Sequence, residues 1–137
     1  MRRRAAALVL LALLSGGCVY YPTIQDLGGI RIRPQNGRAV PHPSGLALYM
    51  DLDSTGAYGD ALVGASADIA RTAALVVPAG APPNRIDVPG ATVVHLTPQG
   101  PHIVLSELTR AVASGEVVLV TLLFEKVGRI GVPARVE

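Results

Sequence analysis

The chain has no tryptophan, one phenylalanine, one cysteine and two methionines, and each shortage excludes something. Half of its residues are apolar, so without large aromatics the core has to be built from Val, Leu, Ile and Ala. A lone cysteine rules out an internal disulfide and any paired-thiolate metal or redox motif. Catalytic signatures are missing as well: there is no G-x-S-x-G elbow, no H-E-x-x-H and no phosphate-cradling glycine loop. The ten carboxylates are scattered without a suggestive pairing. An enzyme is not expected.

The N-terminus MRRRAAALVLLALLSGGC carries three arginines, an apolar run from Ala5 to Leu14, and small residues before Cys18. That layout reads as a secretory leader, too short to span a bilayer, which needs about 20 apolar residues. Leu14-Ser15-Gly16-Gly17-Cys18 resembles the lipobox of bacterial lipoproteins, which implies acylation of Cys18 as the new first residue. The expected division is a leader over 1–17, a lipidated N-terminus and tether over 18–29, and one domain over 30–137. An extracytoplasmic protein held to a membrane by its N-terminal lipid follows. Without Arg2, Arg3 and Arg4 only nine basic residues face ten acidic ones. The basic balance therefore belongs to the leader, and nucleic acid is not an expected partner.

Beyond the tether, short β-like runs alternate with Gly, Pro, Asn and Asp. IRIR (30–33) sets both isoleucines on one face and both arginines on the other. LALYMDL (46–52) places Leu46, Leu48, Met50 and Leu52 together, and VVLVTLLF (117–124) is apolar on both faces, as a central strand would be. RIGVPARV (129–136) alternates too, with Pro133 confining it to an edge or a bulge. Arg31, Arg33, Arg129 and Arg135 fall on outward faces, as a solvated surface or a basic stripe for an acidic partner. Only SELTRAVASGE (106–116) has helical character. DLDSTG (51–56) looks in part like a calcium loop, but Leu62 stands where the twelfth-position Glu belongs, which leaves a polar turn. Many short strands without long helices point to an all-β, antiparallel sandwich of immunoglobulin-like type, or a barrel.

From Leu46 onward the order of phrases resembles the PCu(A)C family of periplasmic copper chaperones. The phrases are LALYMDLDSTGAYGDALVGASADIA, then VPGATVVHLTPQGPHIVL, then SGEVVLVTLLFEKVGRIGVPARV. The resemblance implies a cupredoxin-like sandwich that holds copper(I) and delivers it to a copper enzyme such as cytochrome oxidase. It also implies a site of two histidines and two methionines, part of it an H-x-M triplet. Here the triplet is His102-Ile103-Val104, with valine in the methionine position, and Val76 falls where the family has its first histidine. Once Met1 leaves with the leader, Met50 is the one methionine left, and its spacing puts it on the apolar face.

Imidazole remains. His95 points away from Val94 and Leu96, and His102 follows the turn TPQGP. If that turn joins two paired strands, the rings approach across it. They could then hold copper, or zinc, with His42 or a carboxylate as a third ligand. The alternative is a solvated strand histidine, a hydrogen-bonded turn histidine, and a metal-free binding or structural module on the same scaffold.

Overall fold

The computed structural model describes residues 25–137. Cys18, the leader and residues 18–24 of the tether lie outside the described residues. The remaining tether residues do not behave as a tether. Gln25–Leu27 form β1, which pairs antiparallel with β2 (Ile30–His42). Gly28 and Gly29, at φ +59° and +84°, make the two-residue turn between them. Successive positive φ values are what a tight hairpin turn needs and what glycine supplies without a Cβ clash.

Eight more strands follow: β3 (Gly45–Ser54), β4 (Asp60–Ala67), β5 (Ala70–Val76), β6 (Ile86–Val88), β7 (Thr92–Leu96), β8 (His102–Leu108), β9 (Val117–Phe124) and β10 (Gly128–Val136). Hydrogen bonding runs β2-β10-β9-β4-β5-β8-β3, and β3 returns to β2, so seven strands close into a flattened barrel. All described elements are strands, and the fold is all-β as the periodicity indicates. Every pairing is antiparallel except β10 with β2, which is parallel at Arg135↔Arg38 and Val136↔Ala39.

Alternation explains the interior. Ile30 and Ile32, Leu46, Leu48, Met50 and Leu52, and Val118, Val120, Leu122 and Phe124 all point inward and are buried. Each such side chain contributes about 1.5–3 kcal/mol by leaving water. The single Phe, Phe124, is among the largest of the fully buried residues.

Two departures from regular strands matter below. β2 carries a bulge between Gln35 and Arg38, with Asn36 at φ 56°. Gly37 at this bulge approaches the Pro133 carbonyl so closely that a Cβ there would sit 2.5 Å from its oxygen. Pro133 is thus paired with Leu119 on one side and faces the bulge on the other, where the missing N–H costs no ladder bond. The second departure concerns 106–116, which is not helical. β8 continues to Leu108 because Ser106 and Leu108 pair with Thr72 and Ala70 of β5. The following loop is tied by Arg110 to the Glu116 carboxylate. Thr109 N–H donates to the Ile69 carbonyl at 2.7 Å, and these tertiary partners outweigh a short stretch's weak helix preference.

Asp60 is the one buried carboxylate among the described residues. It accepts from the backbone N–H groups of Ala61, Lys126 and Val127 at 2.8–3.1 Å, which clamps the β9–β10 turn onto β4.

Candidate metal centre

The outer face of β3 gathers the residues that the sequence singles out. With Leu48, Met50 and Leu52 committed to the core, alternation turns Tyr49 and Asp51 to the other side. β7 and β8 both pair antiparallel with β3 along the same edge, β7 against Met50–Ser54 and β8 against Gly45–Leu48. The segment between them, closed by Thr97 N–H to Pro101 O at 3.0 Å, bulges out of an otherwise continuous line. TPQGP therefore does not reverse the chain between two paired strands. The expectation that His95 and His102 meet across a hairpin is wrong in topology, because β3 supplies the pairing partner for both flanks.

The two histidines nevertheless share a face. His95 stands opposite Asp51. His102, one residue before the Ile103↔Leu48 pair, packs against Tyr49 with ring centroids 5.6 Å apart. Their β3 partners are two residues apart, about 7 Å along a strand.

Each ring is anchored through the same nitrogen. His95 Nδ1 lies 2.6 Å from Asp51 Oδ1, and His102 Nδ1 lies 2.9 Å from the Gly100 carbonyl oxygen. A carboxylate and a carbonyl only accept, so both Nδ1 atoms carry the proton and donate. In the neutral rings this leaves the lone pair on Nε2. A metal-ligating histidine is commonly oriented in this way by an acceptor behind it.

The bulge in β2 builds the surroundings. Asn36 Nδ2 donates to Asp51 Oδ2 at 2.9 Å. The Asn36 amide first, and His95 after it, hold the Asp51 carboxyl below its ordinary value. Arg38 lies over the Tyr49 ring at 5.3 Å and also pairs with Glu137 at 3.5 Å. Two short chains of contacts result, Asn36–Asp51–His95 and Arg38–Tyr49–His102.

The other expected contributors are elsewhere. His42 is at the β2–β3 hairpin tip, opposite Gly45, and its Nδ1 accepts from Ser44 N–H at 3.1 Å. Six residues of β3, about 20 Å of strand, separate that level from Asp51, so His42 is no third ligand to this face. Met50 is 2% exposed in the core. Val76 stands directly opposite His102 on β5, and Val104 is on the same face two residues beyond His102. Among the described residues, no three His, Cys, Asp or Glu side chains are grouped to hold a metal ion. A surface hollow of about 260 Å³ near Asp60 holds Arg85 and Lys126 but no histidine. Arg85 is already bonded to Glu125 and Asp87 there.

The pattern of the family described as "Putative lipoprotein LpqE-like" matches residues 27–136. The chain belongs to the LpqE-like family. None of the curated proteins matches it. Among solved structures, the copper-bound PCuAC domain from PmoF2 is similar at 25% identity with a TM-score of 0.68, covering 83% of this chain and 97% of that one. The apo PCuAC domain from PmoF1 shares 19% identity with a TM-score of 0.70, over 83% of this chain and 98% of that one. The fold of this LpqE-like chain is thus the PCuAC sandwich that the order of phrases resembles. Asp51, Asn36 and Arg38 went unrecognised as neighbours of the histidines. Asp51 lay within an apparent polar turn, and nothing local signals a bulge that brings Asn36 to it.

Proposed function

We propose that this LpqE-like chain is an extracytoplasmic lipoprotein, anchored through Cys18, that binds copper through His102 and His95 and hands it to a copper-receiving protein. The observation that carries the reading is the matched anchoring of the two rings. Each Nδ1–H is spent on an acceptor, and each Nε2 remains as a donor on one outer face. An ion held about 2 Å from each nitrogen needs the two Nε2 atoms within about 4 Å. Rings rooted on same-face positions about 7 Å apart would have to lean together to reach that separation. The similarity to a copper-bound PCuAC domain supports copper as the cargo, and imidazole donors suit copper without thioethers. No catalytic chemistry is part of this reading.

Titrating the purified protein with Cu(I) and Cu(II) tests it. One equivalent is expected to bind, His102→Ala to abolish binding and His95→Ala to weaken it. A flat titration in both redox states would sink the copper reading.

A second reading has its own support. Val76 and Val104 occupy positions where the family pattern has a histidine and a methionine, and Met50 is buried. A scaffold so depleted also serves as a metal-free binding or structural module at the membrane, and the flat titration is its expected result.

A further inference from the structure

β9 reads as a strand buried on both faces, yet the barrel covers only one of them. Val118, Val120, Leu122 and Phe124 fill the interior, while Val117, Leu119 and Leu123 on the other face are 56%, 63% and 39% exposed. Their cross-strand partners on β10 are Arg135, Pro133 and Arg129 respectively. On the β4 side, Gly64 stands opposite Leu123 and Ser66 opposite Thr121, so small residues leave the stripe uncovered. Arg31 and Arg33 also point outward from β2, but at their level β2 pairs with β1 and β3, where Asp26 stands opposite Arg31 and Asp53 opposite Arg33, so the cations beside the ridge are Arg129 and Arg135. The result is an apolar ridge with a cationic margin, which an ordinary solvated strand does not need.

We propose that this β9–β10 face docks on an anionic phospholipid surface, an inference that rests on the lipid-anchor reading above. Two observations select the bilayer as occupant. Charge is complementary, since Arg129 and Arg135 border the ridge and a basic residue near an anionic headgroup surface is attracted to it. The anchor is close enough. Seven Cα steps from Cys18 to Gln25 span at most about 25 Å, and β1 is three strand spacings from β9, about 14 Å. The ring order also gives the arrangement a consequence. β9 is three strands from β3 and from β8 in either direction, so docking by β9 turns the histidine face away from the membrane, toward soluble partners.

Because the chain has no tryptophan, a single indole reports position. The full lipidated protein would carry Leu119→Trp or, as the opposite-side control, Val93→Trp, which replaces another exposed valine on β7. Each is bound to vesicles of brominated phosphatidylcholine and phosphatidylglycerol. The expected result is cosedimentation of both proteins, with bromine quenching the indole at position 119 and sparing the one at 93. Adding Arg129→Gln and Arg135→Gln to Leu119→Trp should lower the docked-to-undocked ratio roughly twenty-five-fold, about fivefold for each positive charge lost.

Cosedimentation without quenching at 119, or equal quenching at both positions, overturns the docking face and leaves the anchor standing. An indole at 119 that is shielded from an aqueous quencher but untouched by bromine also overturns it, since a second copy or another protein then covers the ridge. A protein that stays in the supernatant overturns the anchor and the docking face together.

Discussion

Val76 and His102 stand directly opposite each other on β5 and β8, and Val104 shares their face. The resemblance to the PCu(A)C pattern puts a first histidine at Val76 and a methionine at Val104, and the register brings both beside His102. The vacancy is one of chemistry, since the backbone positions are kept. Val76→His with Val104→Met should therefore tighten Cu(I) binding by at least about tenfold, about 1.4 kcal/mol. Competition against a Cu(I) chelator measures it, and an unchanged affinity would mean that these positions do not converge on one ion.

Asp51 touches no proposed copper atom but orients His95 and is itself oriented by Asn36. Loss of such an orienting carboxylate costs about 10–100-fold in metal affinity. Asp51→Asn is expected to fall in that range while leaving the fold intact by circular dichroism. If copper affinity is untouched, the Asp51 carboxylate does not orient a copper ligand.

Asp60 holds the β9–β10 turn through the Lys126 and Val127 N–H groups and also accepts from Ala61 N–H on β4. Truncation to alanine leaves buried donors without an acceptor, each worth about 1–3 kcal/mol. Asp60→Ala should destabilise the protein by about 3 kcal/mol or more in urea unfolding. A loss below about 1 kcal/mol would show that water replaces the carboxylate easily.

Glu116 is held below its ordinary value by Arg110 first and by the Ala113 N–H second. A carboxyl lowered on folding supports the 109–116 loop at pH above its ordinary value of about 4.3, and that support fades as pH falls through the lowered value. An NMR titration should find the Glu116 carboxyl titrating below the ordinary value of a glutamate and moving back toward it in Arg110→Ala. The same midpoint in both proteins would remove Arg110 as the cause.

Local pattern was enough for much of this molecule. Alternation alone assigns Ile30, Ile32, Met50 and the inner residues of β10 to the core, because a strand's period of two leaves a side chain only two faces. Composition limited the metal question to imidazole, since only one methionine lies beyond Met1 and it belongs to a buried set. Tertiary pairing decided the remainder. Residues 106–116 are extended and looped because β5 and Ile69 supply backbone partners that a short helix would forgo. His95 and His102 share a face because β7 and β8 line one edge of β3, an arrangement of hydrogen bonds between residues some 50 positions apart. The partners of the histidines, Asp51, Asn36 and Tyr49, come from strands whose adjacency no local window contains. The uncovered side of β9 likewise depends on which elements pack elsewhere, and a strand's own residues specify its two faces without specifying what covers them.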